Sequence, residues 1–311
     1  MAFKQVIEIY EILDSAVVTG EDVKKYLAER GACDISVETI QSENGATDLI
    51  RVMIPGTAGK SCGGSAPTLG VIGQLGGIGA RPKRIGLVSD GDGALAALAT
   101  GLKLLDMQKK GDRLAGDVII STHICPNAPV LPHDPVPFMG SPVDIRTMNE
   151  HEVDPGMDAI ISVDTTKGNQ IVNRRGIAIS PTVKEGYILR VSEDLLSLLQ
   201  IVTGEPAVVL PITTQDITPY GNGLYHLNSI LQPSTATKAP TVGLAITAEV
   251  PVPGCATGAT QVTDVEQAVR FCIEVAKAFG AGDCRFYDPE EYALIRRRYG
   301  DMSHLQTLGL P

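Results

Sequence analysis

Four stretches of the chain run from a short apolar segment straight into side chains able to do chemistry. Lys83–Ser89 leads into Asp90-Gly91-Asp92-Gly93, and Asp117–Ser121 into Thr122-His123-Ile124-Cys125. Ala159–Val163 leads into Asp164-Thr165-Thr166-Lys167, and Thr241–Thr247 into Ala248-Glu249. Each segment has strand length, and in an open α/β sheet ligands gather where parallel strands end and loops begin. Carboxylates, an imidazole and a thiol from four such ends read as one composite site. Asp90, His123 and Asp164 would hold a divalent ion, zinc suiting a His-plus-carboxylate set and manganese or iron being compatible. Two clustered carboxylates themselves demand a counter-charge. Such an ion lowers the pKa of bound water and polarises a carbonyl, which is the chemistry of amide hydrolysis. Asp92 and His133 are the candidate proton carriers. Cys125, Thr165, Lys167 and Glu249 are the candidate substrate contacts.

Plainer readings stand beside these. Asp90 and Asp92 precede a helical pattern and would equally cap it. His133-Asp134 would equally form a turn. Cys125 near His123 and His133 permits a metal-free thiolate nucleophile. Gly56-Thr57-Ala58-Gly59-Lys60-Ser61 has the look of a phosphate loop, but its first glycine would fall at Ile54 and no long helix follows, so the fingerprint fails. Gly73–Gly79 does not open a dinucleotide-type helix either. The alternative to an enzyme is a non-catalytic chain that binds a peptide or amino acid.

The elements that must position these groups show in the periodicity. Helical spacing covers about 3–30 with a break at Thr19-Gly20-Glu21-Asp22, then Gly93–Lys110, Glu193–Thr203 behind a Ser192 cap, and Asp264–Phe279. Asp34–Ile40 and Asp48–Ile54 alternate as a half-exposed hairpin does. Further strands are expected at Gly176–Ser180, Tyr187–Val191 and Ala207–Leu210. A glycine-rich segment (55–81) reads as a hairpin region packed closely on other backbone. A loop over 125–144 holds six prolines, which exclude helix and inner strand. The tail, 288–311, has helical spacing that suits docking on a neighbouring subunit, with Arg296-Arg297-Arg298 on a solvated or inter-subunit ion-paired face. The sum is a single α/β domain over 1–311, with a mixed, mostly parallel sheet flanked by helices.

Composition narrows the function. A net charge of −10 argues against nucleic acid as a partner. No window approaches the roughly 20 apolar residues that a membrane span needs, and the first residues do not resemble a signal peptide. The six cysteines lack paired or zinc-finger spacing, which suits a reduced cytoplasmic setting. Tryptophan is absent and aromatics make up 4%, so sugar-stacking platforms are not expected. The expected partners are a small peptide or amide-bearing substrate and further copies of the chain.

Several short motifs carry a family resemblance. Val18-Thr19-Gly20-Glu21-Asp22-Val23 is similar to the opening of dinuclear zinc aminopeptidases of the tetrahedral and glutamyl type. Ser89-Asp90-Gly91-Asp92-Gly93 resembles that clan's metal-bridging aspartate ahead of a long helix. Ile161-Ser162-Val163-Asp164-Thr165 resembles its later strand-end ligand, and Asp264-Val265-Glu266 the start of its last helix. The resemblance implies a zinc-exopeptidase-like core, a metallo-hydrolase of aminopeptidase or amidohydrolase type, and a homo-oligomer. The chain departs from the clan in lacking a histidine near Ser65-Ala66-Pro67, paired glutamates after Thr122-His123, and a last histidine near Gly254-Cys255. Those departures support the non-catalytic alternative. The chain as a whole also resembles the bacterial domain-of-unknown-function 1177 family.

Overall fold

The structure is a computed structural model, and it describes residues 1–74, 87–126, 128–132, 138–166, 168–212, 229–251 and 258–306. Two amphipathic helices open it. α1 (Phe3–Leu13) buries Val6, Ile9 and Leu13, and α2 (Gly20–Glu29) buries Val23 and Leu27. The break between them ends in a capping box. The Thr19 hydroxyl accepts from the Asp22 N–H, and the Asp22 carboxylate accepts from the Thr19 N–H at 2.9 Å. The hairpin β1 (Asp34–Ser42) and β2 (Gly45–Ile54) follows, then β3 (Leu69–Gly73), α3 (Asp92–Lys109) and β4 (Val118–Ile124). A small pair, β5 (Val130–Leu131) and β6 (Phe138–Met139), precedes α4 (Ile145–Glu152) and β7 (Ala159–Thr166). Three short strands come next, β8 (Gly176–Ile179), β9 (Val183–Lys184) and β10 (Tyr187–Ile188). α5 (Glu193–Thr203), β11 (Thr241–Thr247), α6 (Val262–Ala281) and α7 (Pro289–Tyr299) complete the described elements.

One sheet joins nine of these strands in the order β1-β2-β4-β3-β7-β11-β9-β10, with β8 also on β11. β4, β3, β7 and β11 run parallel, while β2 joins β4, and β8 and β9 join β11, antiparallel. The sheet is mixed, with its parallel part at the centre, where strands are buried on both faces. α1, α3 and α6 cover one face over a core that includes Val71, Ile120, Ile161, Val163 and Leu244. α4 and the 3-10 turn Ser229–Thr235 cover the other, over Ile72, Ile119, Met157 and Ile160. No helix among the described residues is long and apolar enough to cross a membrane.

The structure departs from the sequence reading at particular points. β3, a central strand, lies inside the glycine-rich segment read as a hairpin region. Lys83–Ser89 falls mostly outside the described residues, and its described end is an isolated bridge, Val88 to Ala259, then a 3-10 turn at Ser89–Gly91. β4 and β7 continue three residues past their expected ends, so His123 and Asp164 stand within strands. Ala207–Leu210 gives only a bridge from Val209 to Ile179. α4 was not expected at all. In the tail, Arg296 ion-pairs with Glu185 and Asp301 of its own chain.

Two glycine contacts hold the site end of the sheet. A β-carbon on Gly93 would lie 2.6 Å from the carbonyl oxygens of Gln74 and Val163, and one on Gly73 would lie 2.5 Å from that of Gly93. The first turn of α3 therefore rests directly on the ends of β3 and β7. At the other end, the loop that resembles a phosphate cradle holds a carboxylate of its own chain. Asp117 accepts from the Gly56 N–H at 2.8 Å, the Ser61 N–H at 2.8 Å and the Ser61 hydroxyl at 2.7 Å. Burial opposes the charge on Asp117, but these donors outweigh it and hold its pKa below the ordinary value.

Gly93→Ala is expected to cost about 3 kcal/mol or more, because backbone cannot yield as a side chain can. Chemical denaturation measures it, and a variant within 0.5 kcal/mol of wild type would contradict the contact. Asp117→Ala strands three donors and is expected to cost about 3 kcal/mol. The same measurement should show the wild type losing this contribution as pH falls below about 4, since the folded carboxyl is the more acidic.

Candidate functional site

Strand alternation decides where the chemically able residues go. On β7, Ile160, Ser162 and Asp164 share a parity, and Ile160 belongs to the cluster beneath α4. On β4 the same holds for Ile119, Ser121 and His123. Val163 faces the α3 and α6 side, and Thr165 shares its parity. The polar groups at the carboxyl edge thus divide between two faces.

On the α3 and α6 side a cavity of about 250 Å³ opens between the ends of β7 and β11 and the heads of α3 and α6. Asp92, Thr165, Arg175, Glu249 and Asp264 line it, with Ile246, Val250 and Ala259 as apolar wall. The Thr165 hydroxyl donates to the Ser89 carbonyl at 2.6 Å, tying the β7 end to the turn before α3. The Arg175 guanidinium donates to Asp264 at 2.8 Å and to the Thr263 hydroxyl at 3.0 Å. Asp92 is buried. It is hydrogen-bonded to the Thr260 side chain, and its Oδ1 has no partner among the described residues. Burial pushes its pKa well above the ordinary value against the Thr260 bond, and the charges of Asp90 and Asp264 push the same way. Asp92 is therefore a carboxyl at a strand-end cavity whose surroundings favour its protonated form.

On the α4 side the residues are enclosed. His123 is buried, its Nδ1 2.9 Å from the Thr47 hydroxyl, and burial lowers its pKa to about 4, so the ring is neutral. Asp164 Oδ1 accepts from the Thr165 N–H at 2.7 Å. Glu152, at the end of α4, faces Asp164 electrostatically and accepts from Gln74 Nε2 at 3.3 Å. Burial raises the Glu152 pKa to about 8, Gln74 opposes that rise, and the Asp164 charge adds to it. Five oxygens buried on this side have no partner among the described residues: Ser121 Oγ, Ser162 Oγ, Asn149 Oδ1, Glu152 Oε1 and Gln232 Oε1. Each buried orphan costs about 1–3 kcal/mol.

The expected site residues are thus only partly brought together. Asp92, Thr165 and Glu249 share the strand-end cavity. Asp90 stands beside Asp92 and accepts from the Met139 N–H at 3.1 Å, while His123 and Asp164 project to the opposite face. Among the described residues no three His, Cys, Asp or Glu side chains form a group that could hold a metal ion. Asp90, His123 and Asp164 are not such a group; alternation along β7 and β4 puts Asp164 and His123 on the α4 side, while Asp90 lies on the turn before α3. Cys125 packs in a small apolar cluster with Val88, Ala128 and Met139. His133 and Lys167 lie outside the described residues.

The sequence reading passed over Asp264 and Arg175 as site residues, and over Gln74, Asn149 and Glu152. Asp264 was read only as a helix start, where an acid is ordinary. For α4 the available signal was the Asp144 cap, whose carboxylate accepts from the Thr147 N–H at 3.0 Å.

No curated protein matches the sequence. Among solved structures the chain is similar to the Legionella pneumophila LapA aminopeptidase, at 11% identity and a TM-score of 0.48, over 91% of this chain and 70% of that one. That likeness is too distant to bear on chemistry. The family model described as "Protein of unknown function (DUF1177)" matches residues 38–309, which span β2 to α7 and both polar sites, and the chain belongs to that family.

Proposed function

We propose that this chain recognises a small amino-acid- or peptide-like molecule in the strand-end cavity. The observation that carries the reading is the cavity's donor set: Asp92, Asp264 and Glu249 with a single guanidinium, Arg175, in about 250 Å³. An ammonium group matches clustered carboxylates, a carboxylate matches an arginine fork, and Ile246 and Val250 offer apolar surface to a side chain. A volume of this size suits an amino acid or one end of a short peptide. Glu249 is exposed, which makes it a gate for cations more than a tight contact.

A second reading, hydrolysis of an amide bond in that ligand, is favoured by the burial that raises the Asp92 pKa. A buried carboxyl that stays protonated beside charged neighbours is the form a general acid takes, and it would protonate a departing amine. Among the described residues no three His, Cys, Asp or Glu side chains at this cavity form a group that could hold the divalent ion that water activation would need. Cytoplasmic residence and assembly into a homo-oligomer belong to this proposal also, on the cysteine usage and the tail pattern.

Titration calorimetry with free amino acids, dipeptides and their N-acetylated forms tests the first reading. Ligands with a free ammonium are expected to bind, with at least a tenfold loss on N-acetylation and again in Asp264→Asn. Equal affinity for the acetylated forms would overturn the reading. Affinity is expected to rise with pH, by up to tenfold per unit, while Asp92 is still protonated in the free protein, because the incoming cation prefers the ionised carboxylate. Asp92→Asn should flatten that slope. Release of amine from dipeptide amides, lost in Asp92→Asn while ligand binding persists, would establish hydrolysis.

A further inference from the structure

The layer under α4 contains a second polar compartment, independent of the strand-end cavity. α4 packs over β2 and β4, and the turn Ser229–Thr235 packs over β7 and β11, so the seam between them runs above β3. Toward the start of the strands the seam is apolar, built from Ile72, Ile119, Met157 and Ile160 with Val153 and Ala239 against them. Toward the strand ends its character reverses. The floor becomes Ser121 on β4 and Ser162 on β7, which flank Ile72 in register. The roof becomes Asn149 and Glu152, three apart on one buried face of α4, and Gln232 on the turn.

These five side chains are each no more than 3% exposed, and each holds an oxygen without a partner among the described residues. Packing two layers together would ordinarily place apolar groups in such a seam. The orphan amide oxygens of Asn149 and Gln232 can only accept, as can Glu152 once ionised, so a cation entering here would take the place of the proton that burial favours on Glu152. Water satisfies amide and hydroxyl oxygens one at a time, and a proton relieves Glu152 beside Asp164, whereas one cation would meet the carboxylate and both amide oxygens together. The set contains oxygen alone. Carboxylate, amide carbonyl and hydroxyl oxygens without imidazole or thiolate select hard ions such as calcium, magnesium or manganese over zinc.

We propose that the seam between α4 and Ser229–Thr235 binds one hard divalent cation through Glu152, Asn149 and Gln232, with Asp164 supplying the second negative charge. The ion ties α4 to the turn across β3 and takes the place of the proton on Glu152. Its role is to fix the layer that carries Gln74 and Glu152 at the strand ends.

The full chain, stripped with EGTA and EDTA, is titrated with calcium, magnesium, manganese, zinc and potassium while its melting temperature is followed. At a hundredfold excess over Kd, one of the hard divalent ions is expected to raise the melting temperature by about 5 °C, with elemental analysis finding about one ion retained per chain. Glu152→Gln keeps the shape and should abolish the shift, and Gln232→Leu should weaken it at least tenfold in apparent affinity. Asp264→Asn, in the other cavity, should leave it intact. No response to any divalent ion, or a response undiminished in both seam variants, would overturn the proposal. A response confined to zinc would overturn its hard-cation chemistry.

Discussion

The rest of the structure depends on the backbone crossing of Gly73 and Gly93. With no β-carbon at either position, α3 starts in direct contact with the ends of β3 and β7, and the Gln74 N–H donates to the Val163 carbonyl at 2.8 Å beside it. Asp92, one residue before the crossing on α3, is thereby pressed into the near-face cavity. Gln74, the residue just after β3, projects to the far face and reaches Glu152. A single close approach thus sets one member of each polar site, and a methyl group at position 93 would displace both together.

The same crossing explains why the carboxyl edge carries two sites and not one. Asp164 and Thr165 are neighbours in the chain, yet Asp164 lies under the α4 layer while Thr165 bonds to the turn before α3. A loop would have allowed both to converge. A strand does not, because successive side chains alternate by geometry. The sequence reading ended β4 at Ser121 and β7 at Val163, and that three-residue difference changed a convergent site into two opposed ones.

What was legible follows from what periodicity records. α3, α5 and α6 were visible because their buried faces are apolar, and the Thr19 and Ser192 caps marked helix starts. β11 was readable as a buried parallel strand between turn signals. β3 was hidden because two of its five residues are glycines that serve close packing, a signal shared with loops. α4 was hidden for the opposite reason. Its sequence, IRTMNEHE, reads as polar surface, yet Met148, Asn149 and Glu152 are buried. Hydropathy reports transfer preference, so a polar residue buried for a purpose is invisible to it. Of the candidate site, Asp92, Thr165 and Glu249 were legible, while Arg175, Asp264 and Glu152 needed the topology to gain meaning.

The chain handles its buried acids in distinct ways, and the comparison isolates the exceptional one. Asp117 is held by backbone and hydroxyl donors from its loop. Glu266 accepts from the Ala2 N–H and from Arg270, each at 2.8 Å. Asp264 has Arg175. Asp92 is hydrogen-bonded to Thr260 and has its pKa raised by burial, which favours its protonated form. Each has a donor or a proton suited to its depth, as buried charges require. Glu152, whose pKa burial raises to about 8, has only the long 3.3 Å bond from a neutral amide and lies beneath orphaned oxygens from α4 and the adjoining turn. An acid left that way is not a packing accident of one residue, because Asn149, Gln232 and the two serines share the defect. Five coincident exceptions on one side of the sheet mark a compartment whose chemistry is completed from outside the chain.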